Sequence, residues 1–320
     1  MFVTTSAECK TINKLQTTQG SNMGELRSDM RYEAPKTLEA AVALLAGASG
    51  VARVLAGGTD LLIQMRGGRV EPALLVDIKG IAEMTSITAE NGGFRSGFRL
   101  GAAVTAMEMF EHKAFAQAWP GLTEAAMLIG SYQIKGRATV GGNLCNASPA
   151  ADSVPALIAA GATVSIVGPN GRREVKAEDI TTGPGKNSLA KGEIVASFLL
   201  PPRAAHSGDA YLRFIPRTEM DIAVVGVGIN LTLDAKGDCT HARVCVGAVA
   251  ERALLVQAAA DALIGTPVDA AALERMGAAV SAACRPIDDK RGTKAFRIKV
   301  SGVMAKRAAV IALNRARGTN

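Results

Sequence analysis

The sequence predicts an α+β chain in two domains, and three observations carry that prediction. Two glycine pairs, in "VLAGGTDLL" at 54–62 and "ATVGGNLCNASPAAD" at 138–152, each stand between a strand-like apolar run and a helix-like one. Pro201 and Pro202 close a region in which helix and strand patterns alternate. Beyond them come three strand-like runs and then three helix-like runs, the segregated order of an α+β domain. With 320 residues, 48% of them apolar, the chain is long enough to bury two cores of ordinary size.

Residues 1–30 are polar, rich in Ser and Thr, and show no sustained hydrophobic period, so they read as a flexible extension with Met1, Met23 or Met30 as the start of translation. "APKTLEAAVALLAG" predicts a helix with Thr37 as N-cap and Gly47 as stop. "ARVLAGG" and "LLVDI" read as short buried strands, which makes residues 32–80 a small α/β unit. "FRLGAAVT" is a strand candidate, and "TAMEMFEHKAFA" a helix in which Thr105 and Glu108 have capping-box spacing. "GLTEAAMLIGSYQI" gives another helix, and "DSVPALIAAG" a third, with Asp152 or Ser153 as cap and Pro155 in its first turn. "ATVSIVGPNGRREV" is a hairpin signature and "GEIVASFLLPP" a further strand. The domain boundary falls here: 31–203, with subdomains of about 31–85 and 86–203, then 204–320. In the second domain "AYLRFI", "IAVVGVGINLTLD" and "HARVCVGAVA" predict three antiparallel strands, followed by helices at about 252–264, 269–283 and 301–316.

Composition removes several classes of function. No stretch of about eighteen uninterrupted apolar residues occurs, and the first thirty residues lack the apolar core of a secretory signal, so the expected location is cytoplasmic. Cys9, Cys145, Cys239, Cys245 and Cys284 are scattered and form no CxxC pair, which argues against a disulfide framework or a metal site on this chain. His112, His206 and His241 are isolated. The net charge of +7 is spread along a chain with only 4% aromatics, so no stacking platform for nucleic acid is present; a solvated basic surface, able also to help dock an acidic partner or an anionic ligand, is the expected reading.

The glycine pairs carry the chemistry. Backbone amides surround an anion only where no Cβ obstructs close approach, and a strand-to-helix turn with paired glycines supplies that. Neither loop matches GxGxxG or GxxxxGK[ST], so a Rossmann site or P-loop is not expected. Thr59, Asn143, Asn146 and Ser148 add short polar side chains suited to diphosphate and sugar oxygens. Asp60 would oppose a phosphate and is expected to serve as a local cap. Two loops flanked alike suggest one ligand held twice.

"VLAGGTDLL", "IGSYQIKGRATVGGNLCNASPAADSVPALIAAGATVSIVG", "TGPGKNSLAKGEIVASFLLP", "YLRFIPRTEMDIAVVGVGI" and "DDKRGTKAFRIKVSGVMAKRAAV" stand in an order that resembles the FAD-binding medium subunit of the molybdenum hydroxylases, the group of xanthine dehydrogenases and aerobic carbon monoxide dehydrogenases. The likeness covers residues ~31–317, a span on the scale of a two-domain chain. It implies a two-subdomain FAD-binding domain of the p-cresol methylhydroxylase/vanillyl-alcohol oxidase type, then a C-terminal domain of a three-stranded antiparallel sheet with a helix bundle. It implies a first diphosphate loop of Ala56, Gly57, Gly58, Thr59, Asp60 and Leu61, and a second of Thr139, Gly141, Gly142, Asn143, Ser148 and Asp152, where Asp152 either meets ribityl hydroxyls or caps its helix. Ile129 and Gly130 fall where the family packs adenine; Val195, Arg213, Asp221 and Ile222 fall near the flavin. No catalytic acid or base is implied, since the flavin carries the redox chemistry. With no histidine in either loop, FAD is expected to be non-covalent.

The resemblance implies an oxidoreductase subunit that takes electrons from [2Fe–2S] clusters on a small partner, beside a molybdopterin-binding large partner, and passes them through FAD to NAD⁺, oxygen or a quinone, in a dimer of heterotrimers. Two alternatives stand beside it: a stand-alone flavin oxidoreductase of the same fold, for which no His, Tyr or Glu constellation is visible, and a flavin-free interaction subunit, against which the intact loops speak.

Overall fold

The computed structural model describes residues 30–90 and 97–319; the expected N-terminal extension, with Cys9, lies outside the described residues apart from Met30. Three parallel strands open the fold: β1 (Arg31–Glu33), β2 (Ala52–Leu55) and β3 (Leu74–Asp77), in the order β1-β3-β2. β3 is buried at all four positions because a strand lies on each side of it. β2, expected to be buried, is only partly so: Arg53 is exposed and the edge borders a cavity. β1 has no apolar pattern of its own and was not foreseen as a strand; pairing with β3 makes it one. Helix α1 (Leu38–Gly47) is capped as expected, Thr37 accepting from the Ala40 amide, and α2 (Leu61–Arg66) follows the first glycine loop.

The second sheet is antiparallel. It contains β4 (Ile87–Glu90), β5 (Gly97–Gly101), β6 (Thr163–Gly168), β7 (Gly171–Lys176) and β10 (Ile194–Leu200), in the order β4-β5-β10-β6-β7; β8 (Thr181–Gly183) and β9 (Lys186–Asn187) form a separate small hairpin. The hairpin foreseen around Pro169 and Asn170 is β6–β7. Between β5 and β6 run α3 (Ala106–Glu111), α4 (Lys113–Ala118), α5 (Pro120–Met127), α6 (Tyr132–Lys135), α7 (Val140–Asn146) and α8 (Ser153–Ala159). The Thr105–Glu108 capping box is present. The single helix expected there is broken at His112, whose ψ of 85° leaves the helical region and whose Nδ1 accepts from the Phe115 amide, starting α4. The next expected helix likewise stops at Met127 before Gly130, at φ +63°, and restarts as α6. Trp119, Phe115, Phe98 and Phe198 fill the core under this layer.

The C-terminal sheet holds the three foreseen strands, β11 (Ser207–Phe214), β12 (Val225–Leu233) and β13 (Cys239–Gly247), and a short fourth, β14 (Leu254–Leu255). β14 and α9 (Gln257–Asp261) replace the helix expected at 252–264, because Leu254 and Leu255 pair with Val246 and Cys245. α10 (Ala270–Ala283) stands as expected, while α11 (Lys294–Arg317) begins at Lys294 rather than 301, capped by Thr293. Val227, Ile229 and Leu231 meet an alanine face of α11, including Ala305, Ala308 and Ala312. Alanine suits that face because the sheet comes close: a Cβ on Gly208 would lie 2.0 Å from the Ala312 carbonyl oxygen. α8 presses on the same sheet from the other side, with the Pro155 carbonyl oxygen 2.5 Å from the place of a Gly228 Cβ. No helix among the described residues is long and apolar enough to cross a membrane.

Candidate functional site

A cavity of about 690 Å³ lies where β2 ends, with both glycine loops in its wall. That volume is in the upper part of the range for small-molecule and cofactor pockets, roughly 300–1,000 Å³. The first loop carries the chain from β2 into α2. Gly58 turns it at φ +77°, a conformation that side chains resist. Gly57 lets the second loop touch it: a Cβ there would lie 1.8 Å from the Arg137 carbonyl oxygen. Among the described residues none accepts a hydrogen bond from the amides of Gly57, Gly58, Thr59, Asp60 or Leu61, so a row of donors is left for a ligand.

The second loop is built differently. Thr139 Oγ1 accepts from the Gly142 amide at 3.0 Å, and the Gly141 amide donates to the Ala102 carbonyl at 3.2 Å. The glycines here admit neighbouring protein: a Cβ on Gly141 would lie 2.4 Å from the Ala102 oxygen. Gln64 donates to Asn146 Oδ1 at 2.9 Å and so joins α2 to α7. Asn143 Oδ1 accepts from both the amide (3.2 Å) and hydroxyl (2.7 Å) of Ser153 and thereby caps α8. Asp152, one of the two caps expected, makes no side-chain cap bond. Its carboxylate accepts from Tyr211 Oη at 3.0 Å and from Arg213 at 2.9 Å, and burial pushes its pKa up to about 6 against the pull of both partners.

Thirteen of the expected residues line the cavity: Ala56, Gly57, Gly58, Thr59, Asp60, Leu61, Ile129, Thr139, Gly141, Gly142, Asn143, Asn146 and Val195. Gly130, Ser148, Asp152, Arg213, Asp221 and Ile222 do not. Ser148 accepts from the Ala150 amide. Asp221 is held by Arg291 at 2.8 Å, which draws its pKa down, and Ile222 is exposed beside it. Asp60 stands at the N-cap position of α2 but makes no side-chain cap bond.

Sequence reasoning passed over a third wall, the segment 185–195, where Asn187, Lys191 and Glu193 face the cavity. "TGPGKNSLAKGEIV" held the signal, a glycine-punctuated turn that ends in a strand, but only Val195 was singled out from it. The ionisable side chains in the lining are Arg53, Asp60, Cys145, Lys191 and Glu193. Burial pushes the Cys145 thiol up to about 12, so it stays protonated. Glu193 is bound by Arg173, which holds its carboxyl below the usual range. Among the described residues neither a histidine nor a tyrosine lines the cavity, and no cluster of His, Cys, Asp and Glu could hold a metal ion.

Free amides, close-approach glycines and a cavity of this size suit a ligand of dinucleotide size, and known families match both parts of the chain. Residues 28–203 match the family described as "FAD binding domain in molybdopterin dehydrogenase", and residues 210–311 match "CO dehydrogenase flavoprotein C-terminal domain". The xanthine dehydrogenase FAD-binding subunit of Escherichia coli O157:H7 is 34% identical over 278 residues, 86% of this chain and 93% of that one. The carbon monoxide dehydrogenase medium chain of Afipia carboxidovorans is 32% identical over 89% of this chain and 97% of its own. The carbon monoxide dehydrogenase of Hydrogenophaga pseudoflava, solved without the Mo-pyranopterin moiety of its molybdenum cofactor, superposes with a TM-score of 0.84 at 32% identity, covering 89% of this chain and 98% of that one.

Proposed function

The chain belongs to the family of FAD-binding domains in molybdopterin dehydrogenases, and from that membership we propose that it is the flavin subunit of a molybdenum hydroxylase, binding FAD non-covalently and relaying electrons. The observation that carries the reading is the row of amides from Gly57 to Leu61, without acceptors among the described residues, in the wall of a cavity that the second glycine loop also lines. Those amides would hold the diphosphate, and Ile129, in the same lining, would pack against the adenine. When bound, the flavin supplies the redox chemistry, accepting and giving up electrons one or two at a time. The chain's own contribution is orientation and electrostatics: Thr139 and Asn143 fix the second loop, and the buried Cys145 thiol stays protonated.

The electrons would come from [2Fe–2S] clusters on a small partner subunit, beside a molybdopterin-binding large subunit, and leave to NAD⁺, oxygen or a quinone; the proposed assembly is a cytoplasmic dimer of heterotrimers. Relatives named as a medium chain and as an FAD-binding subunit support that division of labour. The division of this chain near 203 is supported by the two matched ranges. Purification from the native host through a tag on this chain tests the proposal. Flavin absorbance with iron, molybdenum and two further polypeptides is expected. A yellow but solitary chain would overturn the subunit reading in favour of a stand-alone oxidoreductase, and a colourless chain would overturn FAD binding itself.

A further inference from the structure

We infer that Lys79 is a positioning residue for the first glycine loop: its ammonium holds the Ala56 carbonyl and thereby aims the Gly57 amide into the cavity. The inference rests on the reading that this loop holds the FAD diphosphate. β2 and β3 run parallel with Leu55 beside Asp77, and the last bond of their ladder is the Ile78 amide donating to the Leu55 carbonyl at 3.2 Å. The next carbonyl along, that of Ala56, has passed the end of the ladder. Lys79 Nζ takes it at 3.2 Å. A trans peptide is planar, with its C=O and N–H pointing in opposite directions. Tying the Ala56 oxygen to one side therefore turns the Gly57 N–H to the other, and that amide has no acceptor among the described residues.

Lys79 is itself held in place. Asp77 Oδ1 lies 2.7 Å from its Nζ and accepts from its backbone amide at 3.0 Å, while Asp77 Oδ2 accepts from Tyr32 Oη at 2.5 Å. The Asp77 side chain is 10% exposed and that of Lys79 33%. A loose surface pair would leave the lysine free to swing; this one has a second acceptor and a carboxylate fixed from two elements. β1 acquires a purpose by the same geometry, since Tyr32 is its contribution to the cluster.

The test is titration of the flavin-free full chain with FAD, followed by quenching of flavin fluorescence, together with thermal melts of each flavin-free variant. Lys79→Met is expected to weaken FAD binding by about tenfold or more, the scale of one lost charge-assisted hydrogen bond, with only a small fall in melting temperature from the lost Asp77 pair, and Lys79→Arg to restore most of the affinity. Wild-type affinity in Lys79→Met would overturn the inference. So would a loss of affinity that tracks a large fall in melting temperature and that arginine does not rescue. Should Lys79→Met fail to fold, Tyr32→Phe loosens Asp77 without touching the loop; weaker binding by about threefold is expected, and unchanged binding would overturn the inference. A wild-type chain that takes up no FAD refutes the diphosphate reading instead, and the wild-type trace tells the two failures apart.

Discussion

Gly57 leads one glycine pair and Gly142 closes the other, and the neighbours a side chain would meet at the two places differ in kind. A Cβ at Gly57 would meet backbone, the Arg137 oxygen at 1.8 Å and its carbonyl carbon at 2.5 Å, and nothing there can yield without parting the loops. At Gly142 it would meet only the Thr139 hydroxyl at 2.9 Å, which a rotamer change relieves. Gly57→Ala is therefore expected to destabilise the chain by about 1–3 kcal/mol or more through overpacking, and Gly142→Ala by about 1 kcal/mol through the lost cap. Thermal melts of the flavin-free chains check the order, and equal losses would contradict it. The reason for glycine was only half legible in sequence: close approach was foreseen, but the group that approaches Gly57 is protein backbone. Asp152 shows the same limit. Sequence left it between cap and cofactor ligand; because Asn143 caps α8, Asp152 is free to neutralise Arg213, whose side chain is 6% exposed. Asp152→Asn leaves that cation with a neutral acceptor and is expected to lose about 1–2 kcal/mol, the scale of a weakened hydrogen bond to a charged group. A urea midpoint within error of wild type would exclude the pairing as a stabilising contact.

At the scale of elements, the sequence revealed what local chemistry decides and hid what partners decide. The capping box at Thr105, the hairpin at Pro169 and the cap at Thr37 were legible because their donors and acceptors lie within a few residues. β1 and β14 were not, because two or three residues become a strand only when a neighbour supplies the ladder. The contact between β11 and α11 was equally hidden. Gly208 heads "GDAYLRF" with nothing local to mark it, yet a Cβ there would strike the Ala312 oxygen at 2.0 Å and the Ala316 amide nitrogen at 2.7 Å. Gly208→Ala is expected to lever α11 from the sheet and lower stability by about 2–3 kcal/mol or more, read by chemical denaturation. α11 begins at Lys294, so the lever acts near its far end, and hydrogen exchange should rise in its last turns first.

The whole molecule is joined at a buried, charged seam that neither half shows alone. Arg203, in the linker after Pro202, stacks over Trp119 of the first core at 4.3 Å and donates to Asn230 of β12. Asp209 on β11 faces Arg203 at 3.4 Å, and Arg315 of α11 bridges the Asp209 carbonyl to Glu124 of α5. Asp209 Oδ1 has no hydrogen-bond partner among the described residues, and burial pushes its carboxyl from the ordinary 3.8 up to about 6 against the attraction of Arg203 and Arg315. Between those values the folded chain holds a proton that the unfolded chain has released, so this group's contribution to stability declines as pH rises toward about 6 and is then flat. Asp152, raised to about 6 by burial as well, acts in the same sense. Asp209→Asn removes one of these two titrations while its amide keeps the shape. Relative to wild type, the variant is expected to gain on the order of 2 kcal/mol between about pH 4.5 and pH 7, as measured by urea unfolding at several pH values. Parallel curves for the two proteins would mean that Arg203 and Arg315 keep Asp209 ionised at its ordinary pKa, and that the seam is held by the charge pair itself across the whole range.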